Sequence, residues 1–284
     1  MRSEGAEGRS MTVLEEVGRF SARFGRDVVV ERTVWRYYRL GVGPPIFWLT
    51  GGLRRGALGF AFLERLAAHH TVIAPDFPPV QTIDEFIVAF DAILLAEGIA
   101  SFALCGQSYG GLLAQAYLAH RPEDVDRLIL SSSGPADSGR AWLPAEHALI
   151  ALARLLPEKT AKKLLVGGVL KAITLPGATH DDWARAITVV VQDELTRADV
   201  VSHFAVAADL IRKRSVAPAA FAAWPGRVSV LSAENDPTQG KKDVHRYERL
   251  FGRPVEVLSL GLMGHAAALF DPDGYVDVLE RALA

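Results

Sequence analysis

The feature that most constrains the fold is the pentapeptide G-Q-S-Y-G at residues 106–110. An apolar run at 101–105 precedes it and another at 111–118 follows it, so the sequence predicts a strand, a tight turn and a helix. In such a turn the middle residue, Ser108, has a strained backbone and an exposed side chain. The flanking glycines leave room where a Cβ would collide with neighbouring backbone.

Two downstream loops contain the partners that a nucleophilic serine needs. An unactivated serine hydroxyl is a poor nucleophile and requires a base and an orienting acid. Asp236 follows a strand-like run at 227–232, and His265 follows another at 255–260. Because the carboxyl ends of parallel strands open on one edge of a sheet, we expect the three side chains to meet there. The expected roles are nucleophile for Ser108, general base for His265 and orienting acid for Asp236.

Each of these assignments has an alternative. Glu234 and Asp243 compete with Asp236, although Glu234 is predicted to be out of reach and Asp243 to lie in the following helix. Ser108 as an ordinary turn serine and His265 as an exposed loop histidine are the structural alternatives. The glycine spacing and the order of the residues along the chain favour the catalytic interpretation.

Five segments together resemble the α/β-hydrolase family, in its serine-nucleophile branch with a helical cap. They are residues 47–52, 72–76, 106–111, 233–237 and 264–265. The order Ser, Asp, His along the chain is also that family's order. The resemblance extends from about Val28 to the C-terminus. It implies an α/β fold with a mostly parallel, twisted sheet and helices on both faces, and a serine hydrolase that needs neither metal nor organic cofactor.

The resemblance also implies an oxyanion hole made of two backbone N–H groups. One is that of Tyr109, and the other comes from the loop after the strand at 47–50, with Gly52 as first choice and Leu53 as second. Two such amides are commonly worth ~3 kcal/mol each. Family members often carry His-Gly in this loop, whereas this chain has Thr50-Gly51, which leaves the identity of the second donor open.

The order of predicted elements divides the chain into a core and an insertion. Of 284 residues, 50% are hydrophobic, which predicts a large buried core. Strands are predicted within 28–40 and at 46–50, 71–74, 101–105, 127–131, 227–232 and 255–260, and helices at 60–68 and 83–96. Between about 134 and 224 only helical segments are predicted, at 144–156, 158–170, 181–196 and 199–214. We therefore predict a hydrolase core at 13–133 and 226–284, a helical cap or lid at 134–225, and a disordered tail at 1–12.

The expected substrate is a small or medium carboxylic ester, which is the commonest class for this resemblance. The side chains proposed to contact it are Leu53, Tyr109, Trp142, Trp183 and Phe204. A non-catalytic binding or scaffold protein, an acyltransferase and a carbon–carbon bond hydrolase of the same fold remain alternatives. A serine in the turn argues against the branches that use aspartate there.

Composition limits the classes of partner. The net charge is −2 and the basic residues are scattered, so we expect a small-molecule acyl substrate and no nucleic acid. No apolar run reaches the ~20 residues of a membrane span, and we expect a cytoplasmic protein. The single cysteine, Cys105, permits no internal disulfide and is predicted to be a core residue. No metal-binding motif is present.

Two further polar sites have structural interpretations. Arg54-Arg55, beside the predicted oxyanion loop, is interpreted as a solvated rim, with contact to an anionic substrate as the alternative. Asp76, which follows Ala-Pro, is interpreted as an anchor of its loop rather than a catalytic acid.

Overall fold

The computed structural model describes residues 11–137, 139–172 and 179–284. Its strands are Gly25–Val30 (β1), Thr33–Leu40 (β2), Pro45–Leu49 (β3), Thr71–Pro75 (β4), Phe102–Gln107 (β5), Val125–Ser131 (β6), Arg227–Ser232 (β7) and Glu256–Ser259 (β8). They form one sheet in the order β1-β2-β4-β3-β5-β6-β7-β8. β2 is antiparallel to both of its neighbours, and every other pair is parallel. The predicted α/β class with a mostly parallel sheet is confirmed.

Helices connect and cover these strands. They are Val13–Phe24 (α1), Phe60–Leu66 (α2), Ile83–Ala96 (α3), Tyr109–His120 (α4), Leu143–Leu155 (α5), Glu158–Ala172 (α6), Thr179–Val189 (α7), Arg197–Lys213 (α8), Pro218–Phe221 (α9), Lys241–Phe251 (α10), Ala267–Phe270 (α11) and Pro272–Leu283 (α12). Capping boxes fix the starts of the longer ones: Thr82 with Glu85 begins α3, and Thr196 with Asp199 begins α8. Among the described residues, no helix has the length and apolar character needed to traverse a bilayer.

The hydrophobic core lies on both faces of the sheet. The central strands are apolar at nearly every position, as expected for parallel strands covered on both sides. Phe47 and Leu104 face α3 and α4, whereas Trp48 and Cys105 face α2 and α12. Cys105 is a buried free thiol. Because these strands run parallel, the carboxyl ends of β3 and β5–β8 lie at one edge of the sheet.

Helices α5–α9 lie in the chain between β6 and β7, within the segment predicted to be a cap. In the described residues between these two strands there is no strand. α5 packs against α8, and α8 contacts α3. α7 contacts α1, and α9 contacts α4 and α10, so several helices attach the segment to the rest of the fold.

The structure departs from the sequence prediction at the beginning of the chain. Residues 13–24 form α1, for which no helix was predicted, and Thr12 caps it in a capping box with Glu15. Only Val13 and Phe20 of this helix are buried, so its apolar face is narrow. The main sequence signal for the helix is the capping box of Thr12 and Glu15. The rest of the predicted tail, residues 1–10, falls outside the described residues.

Candidate active site

Ser108 lies in the turn between β5 and α4, with φ of 52° and ψ of −118°. The two glycines beside it are required by the packing of the turn. A Cβ on Gly106 would lie 2.5 Å from the carbonyl oxygen of Gly110, and a Cβ on Gly110 would lie 2.1 Å from that of Leu49. Backbone atoms cannot move aside as a flexible side chain can, so only glycine fits these positions.

The structure brings Ser108, His265 and Asp236 together in one hydrogen-bonded chain. Nε2 of His265 lies 3.0 Å from Oγ of Ser108, and Nδ1 lies 3.1 Å from each carboxylate oxygen of Asp236. The carboxylate accepts a hydrogen bond from the N–H at Nδ1, which leaves Nε2 free to accept the proton of the serine hydroxyl. The arrangement can therefore turn a serine hydroxyl into a nucleophile.

Thr238 supports the carboxylate of Asp236. Its backbone N–H and its hydroxyl both donate to Oδ1 of Asp236, each at 2.8 Å. Burial by itself would raise the pKa of Asp236, but the hydrogen bond and charge of His265, with the two bonds from Thr238, lower it to about 2. Sequence reasoning did not select Thr238. The D-P-T spacing, typical of a turn in which Asp accepts from the residue two positions on, was the available signal.

The loops after β7 and β8 are fastened to each other. The Asn235 side chain donates to the carbonyl of Leu262 at 3.0 Å and accepts from the N–H of Gly264 at 2.9 Å. Gln107, beside Ser108, donates to the carbonyl of His265 at 3.2 Å. These bonds fix the backbone on which the imidazole is carried.

Of the three acids weighed from the sequence, only Asp236 reaches the imidazole. Glu234 is exposed, and Asp243 lies on α10, where it accepts a hydrogen bond from Arg246 at 3.2 Å. Within the described part of the chain, no group of three or more His, Cys, Asp or Glu side chains is arranged to hold a metal ion.

The predicted oxyanion donors lie beside Ser108. Tyr109 is the first residue of α4, so its N–H belongs to the first turn and has no partner within the helix. Gly52 and Leu53 lie in the loop after β3 and line the same cavity as Ser108. Asp76 supports the continuation of this loop, because its carboxylate accepts from the N–H of Gly56 at 2.6 Å and from the Tyr38 hydroxyl at 3.1 Å.

A cavity of about 250 Å³ opens at Ser108 and His265. Its wall is mostly apolar. On the core side it is formed by Trp48, Leu53, Leu58, Phe62, Ala266, Ala268 and Leu269, and on the side of the inserted helices by Leu165, Val169, Leu195, Val200 and Phe204. The polar side chains in the wall besides Ser108 and His265 are Thr50, Arg54, Gln107, Asp199 and His203.

Only some of the side chains predicted to contact a substrate line this cavity. Leu53 and Phe204 do. Trp142 does not, because it is 62% exposed before α5. Trp183 is 3% exposed and stacks on Phe60, with ring centroids 6.1 Å apart, outside the cavity wall. The Tyr109 ring is covered by His203 at a centroid distance of 4.1 Å. These aromatic residues were predicted from their residue type, but the sequence did not show which of them line the cavity.

The interpretation of Arg54 as part of a solvated rim is wrong, because the structure buries this side chain. It is 1% exposed and has a positive φ of 63°. Nε donates to the carbonyl of Phe77 at 3.1 Å, and Nη2 donates to that of Pro78 at 2.6 Å and to Oγ of Ser202 at 3.0 Å. The guanidinium also lies 3.5 Å from the carboxylate of Asp199. A surface arginine was expected because arginine is rarely buried unless paired, and these pairs arise only in the folded chain.

A family model described as the Alpha/beta hydrolase family matches residues 42–278. The chain therefore belongs to the alpha/beta hydrolase family, as the resemblance of its motifs predicted. No curated protein matches the sequence.

Solved structures share the fold at low sequence identity. One is a thermophilic esterase from Thermogutta terrifontis, 16% identical, with a TM-score of 0.74 over 91% of this chain and 97% of that one. A hydrolase from Pseudomonas aeruginosa is 17% identical, with a TM-score of 0.74 over 93% and 99%. A haloalkane dehalogenase loop variant from Bradyrhizobium elkanii is 16% identical, with a TM-score of 0.68 over 91% and 96%. This likeness shows the fold alone, because one fold can carry several chemistries.

Proposed function

We propose that this protein is a serine hydrolase that cleaves small or medium carboxylic esters through an acyl-enzyme intermediate. The observation that carries the proposal is the hydrogen-bonded chain from Asp236 through His265 to Ser108, with distances of 3.1 and 3.0 Å. An apolar cavity that opens at the serine supports an acyl substrate, since its walls offer an acyl chain burial and few polar groups.

The first half of the reaction forms the acyl-enzyme. Nε2 of His265 takes the proton of Ser108 while Oγ attacks the carbonyl carbon of the ester. The negative charge collects on the former carbonyl oxygen, which accepts hydrogen bonds from the N–H groups of Tyr109 and Gly52. Asp236 stabilises the imidazolium. The carbon–oxygen bond to the alcohol then breaks, and His265 returns the proton to the leaving alcohol.

The second half repeats these steps with water. His265 removes a proton from a water molecule, whose oxygen attacks the acyl carbon of the Ser108 ester. The tetrahedral intermediate uses the same two amides. It collapses to a carboxylic acid, and the proton returns from His265 to Oγ, which regenerates the enzyme.

In this proposal the inserted segment at 134–225 acts as the cap. Leu165, Val169 and Phe204 supply apolar wall opposite the serine, so an acyl chain would lie between them and Leu53 on the core side. Side chains of the inserted helices therefore set the chain length, while the loops at the ends of β5, β7 and β8 perform the chemistry.

The test is covalent labelling of the purified protein with a fluorophosphonate probe, combined with hydrolysis of p-nitrophenyl esters of graded acyl length. Labelling and turnover are expected for the intact protein and are expected to disappear in Ser108→Ala and His265→Ala. Ser101→Ala is the matched control, because this exposed serine precedes β5 at the opposite end of the strand. That variant should label and turn over like the intact protein.

Other outcomes identify the alternatives. An intact, folded protein that neither labels nor hydrolyses any ester of the series would favour a non-catalytic binding protein. Labelling with formation of a new ester in the presence of an added alcohol, at the expense of acid, would indicate an acyltransferase. Turnover that survives in Ser108→Ala would remove the serine from the mechanism.

A further inference from the structure

His203 lies in contact with both residues that supply the proposed oxyanion amides. A Cβ placed on Gly52 would lie 3.1 Å from Cε1 and 3.6 Å from Nδ1 of His203. On its other side the imidazole stacks on the Tyr109 ring, with centroids 4.1 Å apart and planes inclined by 27°. The ring therefore lies beside both segments that carry the proposed oxyanion amides, the loop after β3 and the start of α4.

Arg54 determines that α8 presents His203 at this point. On α8, Asp199 lies three residues before Ser202 and four before His203, so both are its neighbours on the helix surface. Arg54 donates to Ser202 at 3.0 Å and lies 3.5 Å from Asp199. Since Arg54 follows the oxyanion loop directly, the helix is fastened to the same loop that carries Gly52.

The imidazole of His203 lines the cavity and has no hydrogen-bond partner among the described residues. Burial, with a smaller contribution from the positive charge of Arg54, lowers the pKa of His203 to about 3. The ring is therefore neutral at the pH values at which His265 can act as a base. A neutral imidazole has one N–H donor and one acceptor nitrogen, so the ring can donate one hydrogen bond to a group that enters the cavity.

We propose that His203 is a third donor of the oxyanion hole, giving its ring N–H to the charged oxygen of the tetrahedral intermediate beside the amides of Gly52 and Tyr109. This inference rests on the proposed serine hydrolase function. A neutral N–H donor suits the role, because its hydrogen bond strengthens as negative charge develops and its proton is too weakly acidic to be transferred to the oxygen. The donor belongs to the inserted helices, whereas the two amides belong to the core.

The test compares His203→Phe with His203→Gln. Phenylalanine keeps an aromatic ring to stack on Tyr109 and removes both nitrogens, whereas glutamine keeps an N–H donor. For a short p-nitrophenyl ester we expect kcat to fall about 100-fold in the phenylalanine variant, with KM changed less than about threefold. The glutamine variant should recover at least about tenfold of that loss. Thermal unfolding of all variants serves as the control for folding.

A second measurement separates a transition-state contact from a structural one. A trifluoromethyl ketone forms a tetrahedral adduct on the serine, so its inhibition constant should rise in His203→Phe by about the same factor as kcat falls. A purely structural role would weaken ester binding and adduct formation together.

Several results would overturn the inference. A kcat of His203→Phe within about threefold of the intact enzyme would show that His203 is not an oxyanion donor. A loss that appears only in KM would show the same. Equal losses in the phenylalanine and glutamine variants assign His203 to packing. If the phenylalanine variant does not fold, His203→Met takes its place in the same comparison. An intact protein without serine-dependent turnover overturns the proposed function, and this inference with it.

Discussion

The sheet and the helices inserted between β6 and β7 differ in how completely they bury their leucines. Leu49, Leu104 and Leu130, on three central strands, are each 0% exposed. On the inserted helices α5 and α6, Leu155 is 83% exposed and Leu164 is 59% exposed. Because burial of apolar surface stabilises a fold by about 25 cal/mol per Å², these exposed leucines of α5 and α6 contribute less to stability than the leucines of the strands.

The two regions also have different proposed roles. Ser108, Asp236 and His265 all follow strands of the buried sheet, and the imidazole of His265 lies within 3.1 Å of both the hydroxyl of Ser108 and the carboxylate of Asp236. The inserted helices contribute apolar wall and His203, and Arg54 fastens them to the core. The sheet thus holds the proposed reaction centre, and the inserted helices shape the cavity that opens at it.

The largest expected effect comes from Asp236→Asn, which tests the core. Asparagine cannot stabilise the imidazolium and favours the wrong tautomer of His265, so kcat for a p-nitrophenyl ester should fall about 1,000-fold or more. Glu234→Gln is the matched control and should stay within about twofold, because Glu234 is exposed. A kcat for Asp236→Asn within about tenfold of the intact enzyme would show that the buried carboxylate is not the orienting acid.

The same variant has an expected pH signature. The pKa of Asp236 is about 2 in the folded protein, below its ordinary value of 3.8. Its ionised form therefore adds stability that is present above about pH 4 and is lost as the pH falls towards 2. The difference in the free energy of unfolding between the intact protein and Asp236→Asn should shrink over that interval in urea titrations.

A matched pair of leucine truncations tests the contrast in burial directly. Leu104→Ala, inside β5, should lower the free energy of unfolding by ~3 kcal/mol, because it leaves a cavity between the sheet and its helices. Leu155→Ala, at the end of α5, should change it by less than about 0.5 kcal/mol. Chemical denaturation of both variants measures this, and equal losses would refute the division into a stabilising core and a weakly buried insertion.

The smallest expected effect comes from Phe204→Ala. Shortening this wall residue enlarges the cavity, so the ratio of kcat/KM for an octanoyl ester to that for an acetyl ester should rise about tenfold. Hydrolysis of the acetyl ester itself should change little, since the reaction centre lies on the core. Trp183→Phe, outside the cavity wall, is the control and should leave the ratio unchanged. No change in Phe204→Ala would place the acyl chain elsewhere.

Much of the core could be predicted because its helices and turns are specified by residues that lie close together in the sequence. The helix at 83–96 has apolar residues at helical spacing and a capping box, and the structure shows α3 with these bounds. The G-x-S-x-G turn is also local, since each glycine is required by backbone a few ångströms away. The strand order then follows from the family's fold.

The sequence by itself determined the fold class, the turn at Ser108 and the loops in which Asp236 and His265 lie. Only the tertiary structure decided that Arg54 is buried, that Trp142 and Trp183 face away from the cavity, and that His203 meets Gly52. The contact of Arg54 with Ser202 joins residues 148 positions apart. No local spacing encodes such a contact, because it depends on how the inserted helices pack on the sheet.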